Sequence, residues 1–189
     1  MKKYSICFVF FILFLGISSA QEGMWLLNQI GQLDLNNKGL QIPVRDIYSK
    51  NKAGLCNAVV QLGGGTASFV SPEGLLLTNH HVAFAALQRA SSVNSNYLTE
   101  GFLASKRTEE IAAPGYRALL LTEMRDVTDE ITAGGKGITD PVERDKAINR
   151  KIAGMTDEME KGKEDVRAVV SELYNGKQYM LYLYKQFKD

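Results

Sequence analysis

Between Gly63 and His81 the chain runs Gly-Gly-Gly-Thr-Ala-Ser-Phe-Val-Ser-Pro-Glu-Gly-Leu-Leu-Leu-Thr-Asn-His-His, an order of residues that few arrangements suit. Two short apolar runs, Thr66 to Val70 and Leu75 to Thr78, flank Ser71-Pro72-Glu73-Gly74. In that turn Pro presets one φ and Gly accepts a positive one. The pattern predicts a hairpin whose second strand delivers His80 and His81 to the start of a short helix, read over 80–90. Both histidines of the chain are in this corner, so imidazole chemistry is confined to it. The three glycines are not a phosphate cradle, because no Lys-Ser/Thr and helix follow them. They predict close backbone approach or a bulge at a barrel corner.

The first twenty residues read as a leader rather than as fold. Lys2 and Lys3 precede an apolar run from Ile6 to Leu15, and Ser18-Ser19-Ala20 supplies the small residues a signal peptidase needs. The run is too short for a permanent membrane span. Cleavage is expected after Ala20, with no cysteine placed for a lipid anchor. Removing Lys2 and Lys3 from the 22 basic residues leaves 20 against 21 acidic ones. The charges are interspersed, which gives no footprint for nucleic acid. Residues 21–189 suffice for one domain with a real core. Cys56 is then the sole cysteine, so no internal disulfide can close, and its place at the head of an apolar run predicts a buried thiol.

Other elements follow from spacing. Met24 to Ile30 predicts a short amphipathic helix, and Pro43 at a first helical position predicts another. Asn57 to Leu62 and Ala118 to Val127 read as strands. Asn94 to Phe102 reads as a loop anchored by Tyr97 and Phe102. Asp140-Pro141 opens a helix to about Lys161, with Ile148, Ile152, Met155 and Met159 at helical intervals. Asp165 to Tyr174 and Lys177 to Phe187 flank Asn175-Gly176, a two-residue hairpin signal. The last of these strands is apolar on both faces, Tyr179, Leu181 and Leu183 against Met180, Tyr182 and Tyr184, and needs a neighbour on each. Its place at the end of the chain suggests a truncated sequence.

A histidine in the first turn of a helix meets the positive end of the helix dipole, which favours the neutral ring that accepts a proton. A bare His-His pair serves equally as a helix cap or surface filler. Consecutive helical residues point about 100° apart, so the two rings do not easily share a metal ion, and no third ligand stands at metal spacing. Ser68 and Ser71 belong to the hairpin, and no serine sits in a glycine-rich nucleophile turn. The residues supply a candidate base and no evident nucleophile.

Further blocks occur in order: Glu22-Gly23-Met24-Trp25, Asn57-Ala58-Val59-Val60, Asn96-Tyr97-Leu98-Thr99-Glu100-Gly101-Phe102 and Tyr182-Leu183-Tyr184-Lys185. Together with Thr78-Asn79-His80-His81 they make the chain resemble the N-terminal part of the bacterial serine dipeptidyl-peptidases typified by dipeptidyl-peptidase 7 and dipeptidyl-peptidase 11. The resemblance implies a mainly β fold with helices, part of a chymotrypsin-like double β-barrel, truncated here, with the long helix near 140–161 as an insertion. It implies His81 as the catalytic histidine and places the aspartate and serine beyond Asp189, so that this chain alone is expected to be inactive. It also implies export to periplasm, cell surface or medium, no cofactor or metal, and oligopeptide substrates with a free N-terminus. No nucleic acid and, after leader cleavage, no membrane are expected as partners; a homodimer of the full-length protein is allowed. Where the family carries a cysteine pair around the histidine loop, this chain has Thr66 and Val82. The alternative expectation is a non-catalytic exported remnant or binding module in which His81 is a relic.

Overall fold

The computed structural model describes residues 23–188 of the 189, so the leader reading over 1–20 falls outside the described residues. The chain divides into two compact units between Lys50 and Asn51.

In the first unit the expected helix over Met24 to Ile30 is instead a 3-10 turn, Leu27–Gln32. The Leu26 amide donates to the Gln29 side chain at 3.3 Å, which favours tight winding, and Met24 is left exposed. Pro43 is not the first helical residue but the cap before helix α1, Val44–Ile47, because its ψ of 138° is still extended.

The second unit is mainly β, with helices packed on a single antiparallel sheet. Leu55–Ala58 form a 3-10 turn rather than the start of a strand, since Asn57 reaches back to accept from the Gly54 amide at 2.8 Å. Cys56 in that turn is half-buried rather than buried. Strands β1, Val59–Leu62, and β2, Gly65–Phe69, pair from Val59↔Ser68 to Leu62↔Gly65 around Gly63-Gly64. β3, Leu76–Thr78, returns along β2 after Gly74 at φ 91°, as the Pro-Gly turn predicts. Helix α2, His80–Ala90, starts two residues after β3.

The segment read as a loop holds one helical turn, α3, Tyr97–Glu100, whose Asn96 side chain accepts from the Thr99 amide. Tyr97 and Phe102 anchor it edge to face, ring centres 5.1 Å apart. Strand β4, Arg117–Asp126, leads into α4, Thr128–Thr132, and then to α5, Pro141–Glu160. Asp140 caps α5, accepting from the Glu143 amide at 2.9 Å. β5, Val166–Leu173, and β6, Gln178–Lys188, complete the sheet, whose order is β3-β2-β1-β4-β6-β5.

The turn between β5 and β6 is longer than the two residues predicted. The last pair is Leu173↔Gln178, and Tyr174, Asn175 and Gly176 all have positive φ. A tyrosine in the left-handed region is uncommon, and its entry widens the loop to four residues.

One apolar cluster joins Val127 and Ile131 to Ile148, Ile152, Met155 and Met159 of α5 and to Ala168, Tyr179, Leu181 and Leu183 of the sheet. The helical spacing read from the sequence is therefore the face α5 turns to β5 and β6. On the opposite face of β6 Met180 is also fully buried, as a strand apolar on two sides requires. Glu160 finishes α5 by accepting from the Ala168 amide on the edge strand β5 at 2.9 Å, which blunts that edge. Phe69 of β2 and Phe187 of β6 meet edge to face, centres 6.5 Å apart. Three strand spacings separate them, about 14 Å in a flat sheet, so the sheet curls toward this face.

Candidate active site

The loop Gly63-Gly64 turns β1 into β2 with both residues at positive φ, 54° and 92°, the pairing a type I′ hairpin requires. Beyond that, Gly63 and Gly65 are the places where other elements come onto the hairpin. A Cβ at Gly63 would stand 2.8 Å from the ring of Tyr116, and one at Gly65 would stand 2.4 Å from Cγ2 of Val82. The close approach read from the glycine run is thus an approach by the first turn of α2 and by the residue that precedes β4.

α2 opens at His80, directly after Asn79. The Asn79 carbonyl accepts from the amides of Val82 and Ala83, at 3.0 and 3.4 Å, while its side chain makes no capping bond. Thr78, one residue before, bonds elsewhere: its hydroxyl donates to the Thr66 carbonyl at 2.7 Å, across β2 and β3. That bond fixes the end of β3 where the chain turns into the helix. His81 is the second residue of α2 and is exposed; no hydrogen bond within the described residues holds its ring. His80, also exposed, lies edge to face with Phe84 one turn later, centres 5.7 Å apart. The two histidines therefore differ in their surroundings: His80 leans on its own helix, and His81 has its ring free.

Ser71 does not stand free as a nucleophile. Its Oγ accepts from the Leu75 amide at 3.1 Å and shapes the turn between β2 and β3. Asp126, at the end of β4, is likewise engaged: it accepts from the Thr128 hydroxyl at 2.6 Å, the Thr128 amide at 2.9 Å and the Gln178 side chain at 2.7 Å. These donors, the Thr128 hydroxyl foremost, hold its carboxyl below the ordinary value. Among the described residues no group of three or more His, Cys, Asp or Glu is placed to hold a metal ion.

Tyr116 escaped the sequence reading, although Pro114-Gly115 is a local signal for the turn that presents it. Its amide donates to the Ala113 carbonyl at 3.2 Å with Gly115 at φ 87°, a type II arrangement. At Thr66 and Val82, where the family resemblance implies a cysteine pair, non-covalent contacts hold the same segment. The Thr66 carbonyl receives Thr78, Val82 packs on Gly65, and the Val82 carbonyl accepts from the Tyr116 hydroxyl at 2.6 Å.

A family profile described as Peptidase S46 matches residues 20–189. Dipeptidyl-peptidase 7 of Porphyromonas gingivalis is 36% identical over 178 residues, 92% of this chain and 25% of that protein. The Asp/Glu-specific dipeptidyl-peptidase of Flavobacterium psychrophilum is 36% identical over 186 residues, covering 96% of this chain and 26% of its own length. The crystal structure of Porphyromonas endodontalis DPP11 in complex with substrate superposes with a TM-score of 0.79 at 32% identity. That match covers 89% of this chain and 26% of that one. The chain spans about a quarter of the length of the curated relatives it matches.

Proposed function

The chain belongs to the peptidase S46 family, and from that premise we propose that it contributes the general base, His81, to an exported serine-type dipeptidyl-peptidase. The observation that carries the reading is the placing of His81 on the second residue of α2, with its helix seated on the hairpin at Gly65. A ring so mounted, with no hydrogen bond to it among the described residues, is available to take the proton of an attacking serine hydroxyl and return it to the departing amine. The substrates would be oligopeptides with a free N-terminus, cleaved to release dipeptides; relatives named as dipeptidyl-peptidases support that class. The engagement of Ser71 and Asp126 in local turns leaves neither with the role of nucleophile or orienting carboxylate.

The test is hydrolysis of dipeptidyl-naphthylamides by two proteins. One is this chain alone, expected to be inactive. The other joins it to the remaining three quarters or so of dipeptidyl-peptidase 7 from P. gingivalis, expected to be active and to lose activity on His81→Asn. Activity from the short chain, or none from the joined one when it is folded, counts against the proposal. Export is part of the same reading, and N-terminal sequencing of the protein recovered outside the cytoplasm should begin at Gln21.

The exposure of His81 favours one other reading, a non-catalytic exported binding module. It predicts that the joined protein, though folded, hydrolyses no dipeptidyl-naphthylamide whether or not His81 is replaced.

A further inference from the structure

We propose that Tyr116 is the positioning residue for His81, locking the first turn of α2 onto the β1–β2 hairpin. This deepens the proposed function and rests on it only where catalysis is concerned. Three contacts carry the inference. The Tyr116 hydroxyl donates to the Val82 carbonyl at 2.6 Å, the residue next to His81. Its ring lies over Gly63, so close that a Cβ there would come within 2.8 Å of Cε1. The guanidinium of Arg89, near the end of the same helix, stands 6.0 Å from the ring centre and reaches the Pro114 carbonyl at 3.5 Å.

The arrangement is specific to a tyrosine. Within α2 the Val82 carbonyl already faces the amide four residues on, and a carbonyl has a second lone pair to give. The phenol takes it from outside the helix. A ring with no hydroxyl would still cover Gly63 but would remove the bond that reaches the Val82 carbonyl from outside the helix, leaving Val82 on Gly65 and the Asn79 carbonyl at the first turn of α2. Tyr116 is half-buried, so its hydrogen bond is shielded from competing water. Its own backbone is fixed by the Pro114-Gly115 turn and by the β4 ladder that starts one residue later. The clamp therefore refers the helix start to the sheet, and one flexible side chain does not merely touch another.

The experiment is amide hydrogen exchange on this chain, comparing Tyr116→Phe with the parent. Removing one oxygen should speed exchange at Val82 and Ala83 by about tenfold, the loss of one hydrogen bond, with rates in β4, β5 and β6 within twofold. A second variant, Gly63→Ala, drives a methyl into the ring by an independent route and should loosen the same two amides. Unchanged exchange at Val82 and Ala83 in Tyr116→Phe overturns the proposal, as does an increase spread evenly over the sheet, which a merely structural role would give. In the joined protein, Tyr116→Phe should lower kcat ten- to a hundredfold with KM changed less than threefold, because a base displaced by about 1 Å loses alignment. Loosened amides with kcat untouched would overturn Tyr116 as the positioning residue for His81, whereas His81→Asn alone decides whether His81 is the base.

Discussion

Val82 fills the space that a side chain on Gly65 would need: Cγ2 lies 2.4 Å from where that Cβ would be. Gly65 is not at positive φ, so its requirement is one of room and not of backbone conformation. Gly65→Ala should therefore destabilise by overpacking, about 1–3 kcal/mol, measured by urea unfolding. Pairing it with Val82→Ala should recover part of that loss. A double variant whose loss is the sum of the two single losses would show that Val82 is not the obstacle.

Asp140 caps the 20-residue helix α5 through a single bond to the Glu143 amide. Asp140→Ala should cost about 1 kcal/mol, and Asp140→Asn, which keeps an acceptor, distinctly less. The unfolding midpoints of the two variants check the order.

The carboxyl of Asp126 is held below its ordinary value by the Thr128 hydroxyl, then the Thr128 amide and the Gln178 side chain. A depressed folded value stabilises the protein above the unfolded one, about 3.9, and that contribution disappears as pH falls through the folded value. Urea midpoints followed downward from about pH 5 should decline on this account, and the decline should be shallower in Asp126→Asn. Parallel curves for parent and variant would remove Asp126 from the acid limb.

At the alkaline end the sign reverses. Burial raises the hydroxyls of Tyr182 and Tyr184, the former helped by neighbouring tyrosines. Their stabilisation is complete below the ordinary value of about 10 and is lost as pH rises through the folded values. Absorbance at about 295 nm should show tyrosines ionising late, with that fraction reduced in Tyr182→Phe and Tyr184→Phe.

Much of this was legible where local signals agree. Asp140-Pro141 with Ile148, Ile152, Met155 and Met159 gave the cap, the start and the buried face of α5, since capping and helical periodicity are both local. The block ending at His81 gave the β2–β3 hairpin and the helix after it. Tyr174 was not legible, because nothing nearby in the chain announces a tyrosine at φ 53°. The role of Thr78 was hidden for the same kind of reason: its partner, the Thr66 carbonyl, is twelve residues away. Tyr116 is 34 residues from Val82, and only the folded sheet brings them together. His81 was identifiable as a residue type in a motif, while its surroundings are a matter of tertiary placement.

β1 and β4 share only three register pairs, Val60↔Leu120, Gln61↔Leu119 and Leu62↔Ala118, whereas β4 and β6 run together along their length. The hairpin and its histidine helix thus join the α5-covered half by a short seam, backed by Phe69 on Phe187 and by the Tyr116 and Arg89 contacts. Under stress the molecule should part along that line first, shedding the imidazole-bearing half as one piece while the tyrosine-rich ladder stays closed.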